Sequence, residues 1–377
     1  MKIAMLGTRG LPATHGGVER AVEELSARLA ARGHDVTVFC RPGYCAERLP
    51  AHRGVRLRHL PAIPTKHLES ASHTFLGALV AAAGDYDVVH IHSIGPALFG
   101  LIPRLAGKRL VVTVHALDWK RRKWGFLARL ALRAGARAAT LFPDATIAVS
   151  RAAQRHLREA YFKEPIYLPN GVTLPGNDGH GPSPKAAPGQ QPYLLFLGRL
   201  VPEKRVDDLI AAFRSWDAEA RLLIAGDAAF SNGHVGALRR QAAGDSRITF
   251  TGGVYGERKE ALMAGAAALV NPSELEGHPI VVLEALAHGV PVIVSDIEEH
   301  REILEGGDGA GLLGLTFRTG DRADLRGALA RAFSLDGDPD APAARRRFVA
   351  ERFEWDRVVA ATEEVYRTAG SRGGRSC

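Results

Sequence analysis

The chain has 377 residues, 46% of them hydrophobic and 24% charged, with a formal net charge of +8. That length suffices for two ordinary domains with a core each, and the composition excludes a disordered or fibrous chain. Three cysteines (Cys40, Cys45 and Cys377) are too few and too scattered for a disulfide framework or a zinc cage. Charge returns at Arg9 after a short apolar start, which argues against a signal peptide, and no run approaches the roughly 20 apolar residues of a membrane span. The expected setting is the cytoplasm. The charge is uneven: residues 1–173 hold 25 Lys and Arg against 12 Asp and Glu, so the whole positive excess lies there. This asymmetry predicts an anionic partner for the first half.

Taken in chain order, the first apolar run is KIAML (2–6). Gly16-Gly17 then opens GVERAVEELSARLAARGH (17–34), where Val18, Val22, Leu25 and Leu29 recur at helical spacing and Gly33 stops the helix. VTVFC (36–40), DVVHI (87–91), LVVTVH (110–115) and ATIAV (145–149) follow. They are rich in Val, Ile and Leu without alternation, as parallel strands covered on both faces are. LPGNDGHGPSPKAAPGQQP (174–192) is dense in Gly and Pro and reads as a linker. Beyond it YLLFLG (193–198), RLLIAG (221–226), AALV (267–270) and PVIVS (291–295) repeat the pattern. Strand alternating with helix predicts two Rossmann-like, doubly wound α/β domains, with the binding site in a cleft at strand carboxyl ends. FEWDRVVAATEEVYR (353–367) reads as a closing helix, and the residues from Thr368 to Cys377 as a disordered end.

Five features carry possible chemistry. ELEGHPIVVLEALAHGVPV (274–292) reads as a helix with Pro279 in its first turn and apolar residues all round, ended by Gly289 and Pro291. Glu284 interrupts it, and an unpaired buried carboxylate costs on the order of several kcal/mol. A ribose diol would satisfy such an acceptor, and the amides near Gly277 suit a diphosphate or sugar hydroxyls. The plainer alternative pairs Glu284 with a core arginine and leaves Glu276 as a loop residue. Arg199 and Lys204 follow the first strand of the second half, where two cations would stabilise a departing diphosphate; solvated loop charges are the alternative. His115 closes a strand in LVVTVHALD, where a histidine is structural or faces the cleft, while His90 and His92 read as structural or as lining the same cleft.

Gly16-Gly17 lets a backbone approach a ligand or simply marks a turn. It is not the dinucleotide fingerprint, since no acidic residue ends VTVFC. Finally, DWKRRKWGFLARLALRAGAR (118–137) sets Lys120, Arg121, Arg122 and Lys123 between Trp119 and Trp124, ahead of Phe126, Leu127, Leu130 and Leu132. Such a stretch lies on an anionic membrane or grips a lipid diphosphate, or else it is an ordinary helix with its Leu face on the sheet. No nucleic-acid module accompanies it.

Glu276 and Glu284 in a Glu-x7-Glu pattern, the apolar helix and GVPVI resemble the signature of family 4 retaining glycosyltransferases. FLGRLVPEKRVDDLIAAF (196–213), SRAAQRHL (150–157) and LPNGV (168–172) are similar to that family's stretches in the same order. GTRGLPATHGGVER resembles bacterial members that build cell-surface polysaccharide. The resemblance implies the GT-B fold, with two Rossmann-like domains facing a central cleft. It implies an acceptor domain at 1–173, a linker at 174–192, a donor domain at 193–350, and a helix in 351–377 crossing back to the first domain. Carried onto this chain, Glu284 would hold the ribose. Glu276 and the backbone of Gly277, His278, Pro279 and Ile280 would meet the sugar and diphosphate, although that family often has an aromatic residue where His278 stands. Arg199 and Lys204 would hold the diphosphate, His115 would reach the donor sugar, and Gly16-Gly17 would lie near the diphosphate and acceptor.

The expected reaction is retaining transfer from a nucleotide diphosphate-sugar to a hydroxyl acceptor, such as a lipid-linked glycan, without metal or other cofactor. Contact with the inner face of the membrane would run through Lys120, Arg121, Arg122 and Lys123, and no nucleic-acid partner is expected. A sugar-nucleotide hydrolase or epimerase, or a non-catalytic nucleotide-sugar binder, are the competing readings.

Overall fold

The computed structural model describes the chain apart from residues 15, 46, 66–67, 121–123, 177–190, 228–231, 308–311, 336–337 and 370–377. Most of the linker stretch and of the expected disordered end therefore lie outside the described residues. The chain divides into two compact units, Met1–Asn170 with Trp355–Cys377, and Gly171–Glu354.

In the first unit the strands are β1 (Lys2–Leu6), β2 (Asp35–Cys40), β3 (Ala51–His52), β4 (Val55–His59), β5 (Val88–His92), β6 (Arg109–Val114), β7 (Ala145–Ala148) and β8 (Ile166–Tyr167). They form one sheet in the order β3-β4-β2-β1-β5-β6-β7-β8, parallel except for the β3–β4 pair. The helices of this unit's first segment are α1 (Gly17–Ala31), α2 (Leu68–Ala83), α3 (Ile94–Ala97), α4 (Leu101–Leu105), α5 (Phe126–Leu141) and α6 (Arg151–Tyr161). The apolar runs become the middle of the sheet because both faces are covered: Ala4, Val89, Ile91, Leu110 and Val112 are fully buried in one core. Ser150 begins α6 as its cap, its hydroxyl accepting from the Ala153 amide at 3.2 Å. Gly7, at the end of β1, has φ +92, and a Cβ there would lie 2.2 Å from the His92 carbonyl oxygen. Only glycine lets the ends of β1 and β5 come this close.

The second unit holds β9 (Tyr193–Leu197), β10 (Arg221–Ala225), β11 (Ile248–Gly252), β12 (Ala268–Asn271), β13 (Val292–Ser295) and β14 (Gly314–Phe317), ordered β11-β10-β9-β12-β13-β14 and parallel throughout. Its helices are α7 (Val206–Arg214), α8 (Asn232–Ala242), α9 (Gly256–Ala264), α10 (Ile280–Ala287), α11 (Glu298–Leu304), α12 (Arg322–Arg331) and α13 (Ala341–Phe353). Arg345 on α13 is fully buried and donates to the carbonyls of Leu312 (2.6 Å), Gly289 (3.0 Å) and Leu335 (2.9 Å). It clamps three loops rather than facing solvent.

The last helix, α14 (Trp355–Thr368), belongs to the first unit and packs on α1. His34 and Arg32 reach Glu363 at 2.8 and 3.0 Å, and Tyr366 is fully buried. The division at Asn170 and Glu354 differs from boundaries at 173 and 350. The Val172 amide donates to the Phe353 carbonyl at 2.7 Å and Leu174 packs on the second core, so both stretches are tied into the second unit.

Candidate active site

In the second unit, the loops that matter leave the carboxyl ends of β9, β12 and β13, where a parallel sheet opens its crevice. The loop after β9 carries Arg199 and then a turn of 3-10 helix at Pro202–Lys204; the loop after β12 carries Glu274 and Glu276. The two are stitched together. The Glu274 amide donates to the Glu203 carbonyl at 2.9 Å, and Arg205 donates to the Glu274 carboxylate at 2.8 Å. This brings Lys204 onto Glu276, whose Oε1 also accepts from Asn271 Nδ2 at 3.1 Å.

Both members of the pair are nearly enclosed, with 14% and 10% of their side chains exposed. Burial works against a charge on Glu276, but the Lys204 ammonium, His300 and Ser273 outweigh it and hold the carboxyl down at about 2. Glu276 is ionised at neutral pH. Arg199 stands half-buried on the same loop as Lys204.

Four residues behind the pair escaped the sequence reading. The Ser273 hydroxyl donates to Asn271 Oδ1, Ser295 donates to the Ser273 carbonyl, and His300 Nδ1 sits 3.0 Å from the Ser295 hydroxyl. Polar residues at the ends of the apolar runs AALV and PVIVS were the available signal.

The segment around Glu284 differs from expectation in three ways. Pro279 caps α10 instead of starting it, and the helix has eight residues. It is not buried all round: Ile280, Val281 and Glu284 are half-buried, because those spacings share one side of a helix of 3.6 residues per turn. And the carboxylate has a protein partner, a lysine rather than a core arginine, since Lys259 on α9 donates to Oε1 at 2.6 Å. A bound guest is therefore not required to make Glu284 tolerable. Gly277 lies half-buried just before this cap. His278 turns inward, 4% exposed, its ring 5.5 Å from that of Phe353, and burial pushes it down to about 3.

In the first unit, Gly16 precedes α1 with φ +104, and a Cβ there would lie 2.1 Å from Glu19 Oε2; one on Gly17 would meet nothing within 4 Å. His115 follows β6 directly and is 8% exposed. His92 Nδ1 lies 3.1 Å from its Nε2. His90 is sealed, with Tyr366 at 2.7 Å from Nδ1 and Thr113 at 2.7 Å from Nε2. All three histidines line a cavity of about 30 Å³ with Asn170 and Trp355.

Of the basic stretch, Lys120 is exposed, and Arg121, Arg122 and Lys123 lie outside the described residues. The alternative of a Leu face packed on the sheet holds only for Leu132, and the buried side of α5 is otherwise made by Gly135, Ala136, Ala138, Ala139 and Thr140. Phe126, Leu127 and Leu130 are 80%, 77% and 56% exposed. Among the described residues no helix is long and apolar enough to cross a membrane.

Two parallel α/β units, with charged and imidazole side chains gathered at strand carboxyl ends, have the architecture of a GT-B glycosyltransferase. The chain is a glycosyltransferase: residues 15–174 match Glycosyltransferase Family 4 and residues 191–334 match Glycosyl transferases group 1. It is 27% identical to a phosphatidyl-myo-inositol mannosyltransferase of Propionibacterium freudenreichii, over 94% of this chain and 92% of that protein. It is 28% identical to a glycogen synthase of Mycobacterium tuberculosis, over 100% and 96%. Its fold is similar to that of sucrose-phosphate synthase from Thermosynechococcus elongatus, with a TM-score of 0.81 at 22% identity over 98% of both chains.

Proposed function

We propose that the chain transfers a sugar from a nucleoside diphosphate donor to a hydroxyl acceptor, with retention of anomeric configuration, in the synthesis of a bacterial cell-surface polysaccharide. The observation that carries this reading is the enclosed pair of Lys204 and Glu276, joined across the loops after β9 and β12. As the bond from the sugar to the diphosphate breaks, negative charge collects on the leaving phosphate, and Arg199 and Lys204 offset it. Lys204 then exchanges Glu276 for a phosphate oxygen, which frees that carboxylate to accept from a sugar hydroxyl. The Glu284 oxygen not held by Lys259 accepts from the ribose. The amides of Gly277, His278 and Ile280 and those of Gly16 and Gly17 approach the diphosphate and sugar. His115 lies beside the reacting carbon.

The transition state is oxocarbenium-like, as in glycoside hydrolysis. The acceptor oxygen attacks from the face the phosphate leaves, and its proton passes to a departing phosphate oxygen. With two cations on the leaving group, the reaction runs without a metal.

For the acceptor, the exposed Phe126, Leu127 and Leu130 support a lipid-linked glycan at the inner face of an anionic membrane, approached from the cytoplasm. No Asp or Glu falls between Asp118 and Asp144, a segment that holds seven Lys and Arg. The name of the mannosyltransferase relative points to a lipid acceptor, and that of the glycogen synthase to a glucan.

The test is a panel of UDP-, GDP- and dTDP-sugars read by thermal shift, where a ligand at 100 times its Kd adds about 2.7 kcal/mol. Glu284→Ala should abolish the shift. With the donor found, the anomeric NMR signal of the transferred sugar should keep its configuration. Equal donor turnover without acceptor would instead mean a hydrolase or epimerase, and binding without turnover a binding protein. Vesicles rich in phosphatidylglycerol should bring the protein down in sedimentation, and less so for F126S/L127S.

A further inference from the structure

His115 reaches the end of β6 with one ring nitrogen already engaged: its Nε2 lies 3.1 Å from Nδ1 of His92. Burial keeps the rings of His90, His92 and His115 neutral, pushing His90 down to about 3, His115 to about 4 and His92 well below its ordinary range. Between two neutral imidazoles in contact, one nitrogen donates and the other accepts.

The direction follows from the far side of His92, whose Nε2 is buried and has no partner among the described residues. Were His115 the donor, His92 would carry its own proton on Nε2, and an N–H would be buried with no acceptor. With His92 Nδ1–H as donor, Nε2 is only a bare lone pair. An orphaned buried N–H is the rarer and costlier fault. The neighbouring ring shows the same economy of protons. Tyr366 is pushed far above its ordinary range by burial and stays protonated; donating that proton to His90 Nδ1 gives the buried O–H an acceptor and leaves His90 Nε2–H to donate to Thr113.

We propose that His92 is a positioning residue that locks His115 in its Nδ1–H tautomer, so that His115 meets the substrate as a hydrogen-bond donor and not as a base. The consequence rests on the proposed place of His115 beside the transferred sugar. Its Nε2 lone pair is occupied, and Nδ1–H is what remains to offer a sugar or phosphoryl oxygen. Such a ring cannot take the acceptor's proton, which is then left to the departing phosphate.

The direct test is the long-range ¹H–¹⁵N spectrum of the full chain labelled on histidine, with His92 and His115 assigned by H92N and H115N. Protonated Nδ1 and bare Nε2 on His115 at pH 7 is the expected result; a proton on Nε2, or on both nitrogens, would overturn the proposal. In turnover, H92F should lower kcat about 10²-fold by letting His115 reorient, with donor affinity within about twofold of the parent. H92N, which keeps an N–H donor, should recover at least about tenfold of that loss. Parental kcat in H92F alongside an inactive H115A would also defeat the lock. If H115A transfers normally while the tautomer is as expected, it is the placement of His115 in the reaction that fails. Should H92F not fold, the spectrum of the parent decides alone.

Discussion

Lys259 on α9 donates to the Glu284 carboxylate on α10 at 2.6 Å, and only 13% and 15% of the two side chains remain exposed. The acid inside the apolar helix thus has a partner 25 residues upstream. A lysine engages one of about four lone-pair sites on a carboxylate, so the pairing orients Glu284 without saturating it.

Replacing Lys259 by Met should cost about 1–3 kcal/mol, the price of removing one partner from an enclosed charge-assisted bond. It should also weaken nucleotide binding, because the carboxylate loses its fixed orientation. In urea titrations, K259M/E284A should be less destabilised than the sum of the single variants by about 0.5 kcal/mol or more. Simple additivity would mean that the pair contributes nothing.

Acid should unfold the protein from the first unit. Burial lowers His73 and His115 to about 4, His90 to about 3 and His92 well below its usual value; in the second unit it lowers His278 to about 3 and His300 to about 4. The unfolded chain takes up these protons below about pH 6.5 and the folded chain does not until pH 3–4. The stability is therefore complete above 6.5 and lost as pH falls, by up to about 1.4 kcal/mol per pH unit for each histidine. W216F leaves Trp119, Trp124 and Trp355, all in the first unit, as reporters. Their emission should change at a higher pH than the far-UV circular dichroism midpoint; one coincident transition below pH 4 would contradict this.

Gly16 and Gly17 should part company on substitution. G16A forces a side chain into φ +104 against Glu19 and should cost about 1–2 kcal/mol. G17A meets open space and should melt within about 0.5 kcal/mol of the parent. Its added methyl should still impair transfer, by holding the ligand off the backbone. Full activity in G17A would remove that backbone from the proposed site.

Tyr366→Phe leaves His90 Nδ1 buried without its donor and should destabilise the first unit by about 1–3 kcal/mol. Denaturant titration followed by the tryptophans of that unit measures it. An unmoved midpoint would mean that the hydrogen bond between Tyr366 and His90 contributes nothing to holding α14.

The nine strands anticipated from apolar runs are all present, and they are the inner ones: β2, β1, β5, β6 and β7 in one sheet, β10, β9, β12 and β13 in the other. The five that were not anticipated, β3, β4, β8, β11 and β14, lie at or beside a sheet edge. β4 (VRLRH) alternates buried and exposed residues and β11 (ITFTG) is half-buried throughout, so neither shows a continuous apolar run. Lys204 and Glu276 were legible as candidates because they follow strands in a recognisable motif. Lys259 was not, because nothing in GERKEALMA distinguishes a lysine that pairs from one that is merely solvated.

What the sequence determined by itself is what neighbours along the chain decide: covered strands, helix stops and the glycines at tight approaches. The tertiary structure alone decided which charges and rings meet, across 25 residues for Lys259 and Glu284, 72 for Lys204 and Glu276, and 276 for His90 and Tyr366. Coulomb attraction and hydrogen bonding depend on separation in space and on the loss of water around the pair. Neither quantity exists until folding has brought those side chains together.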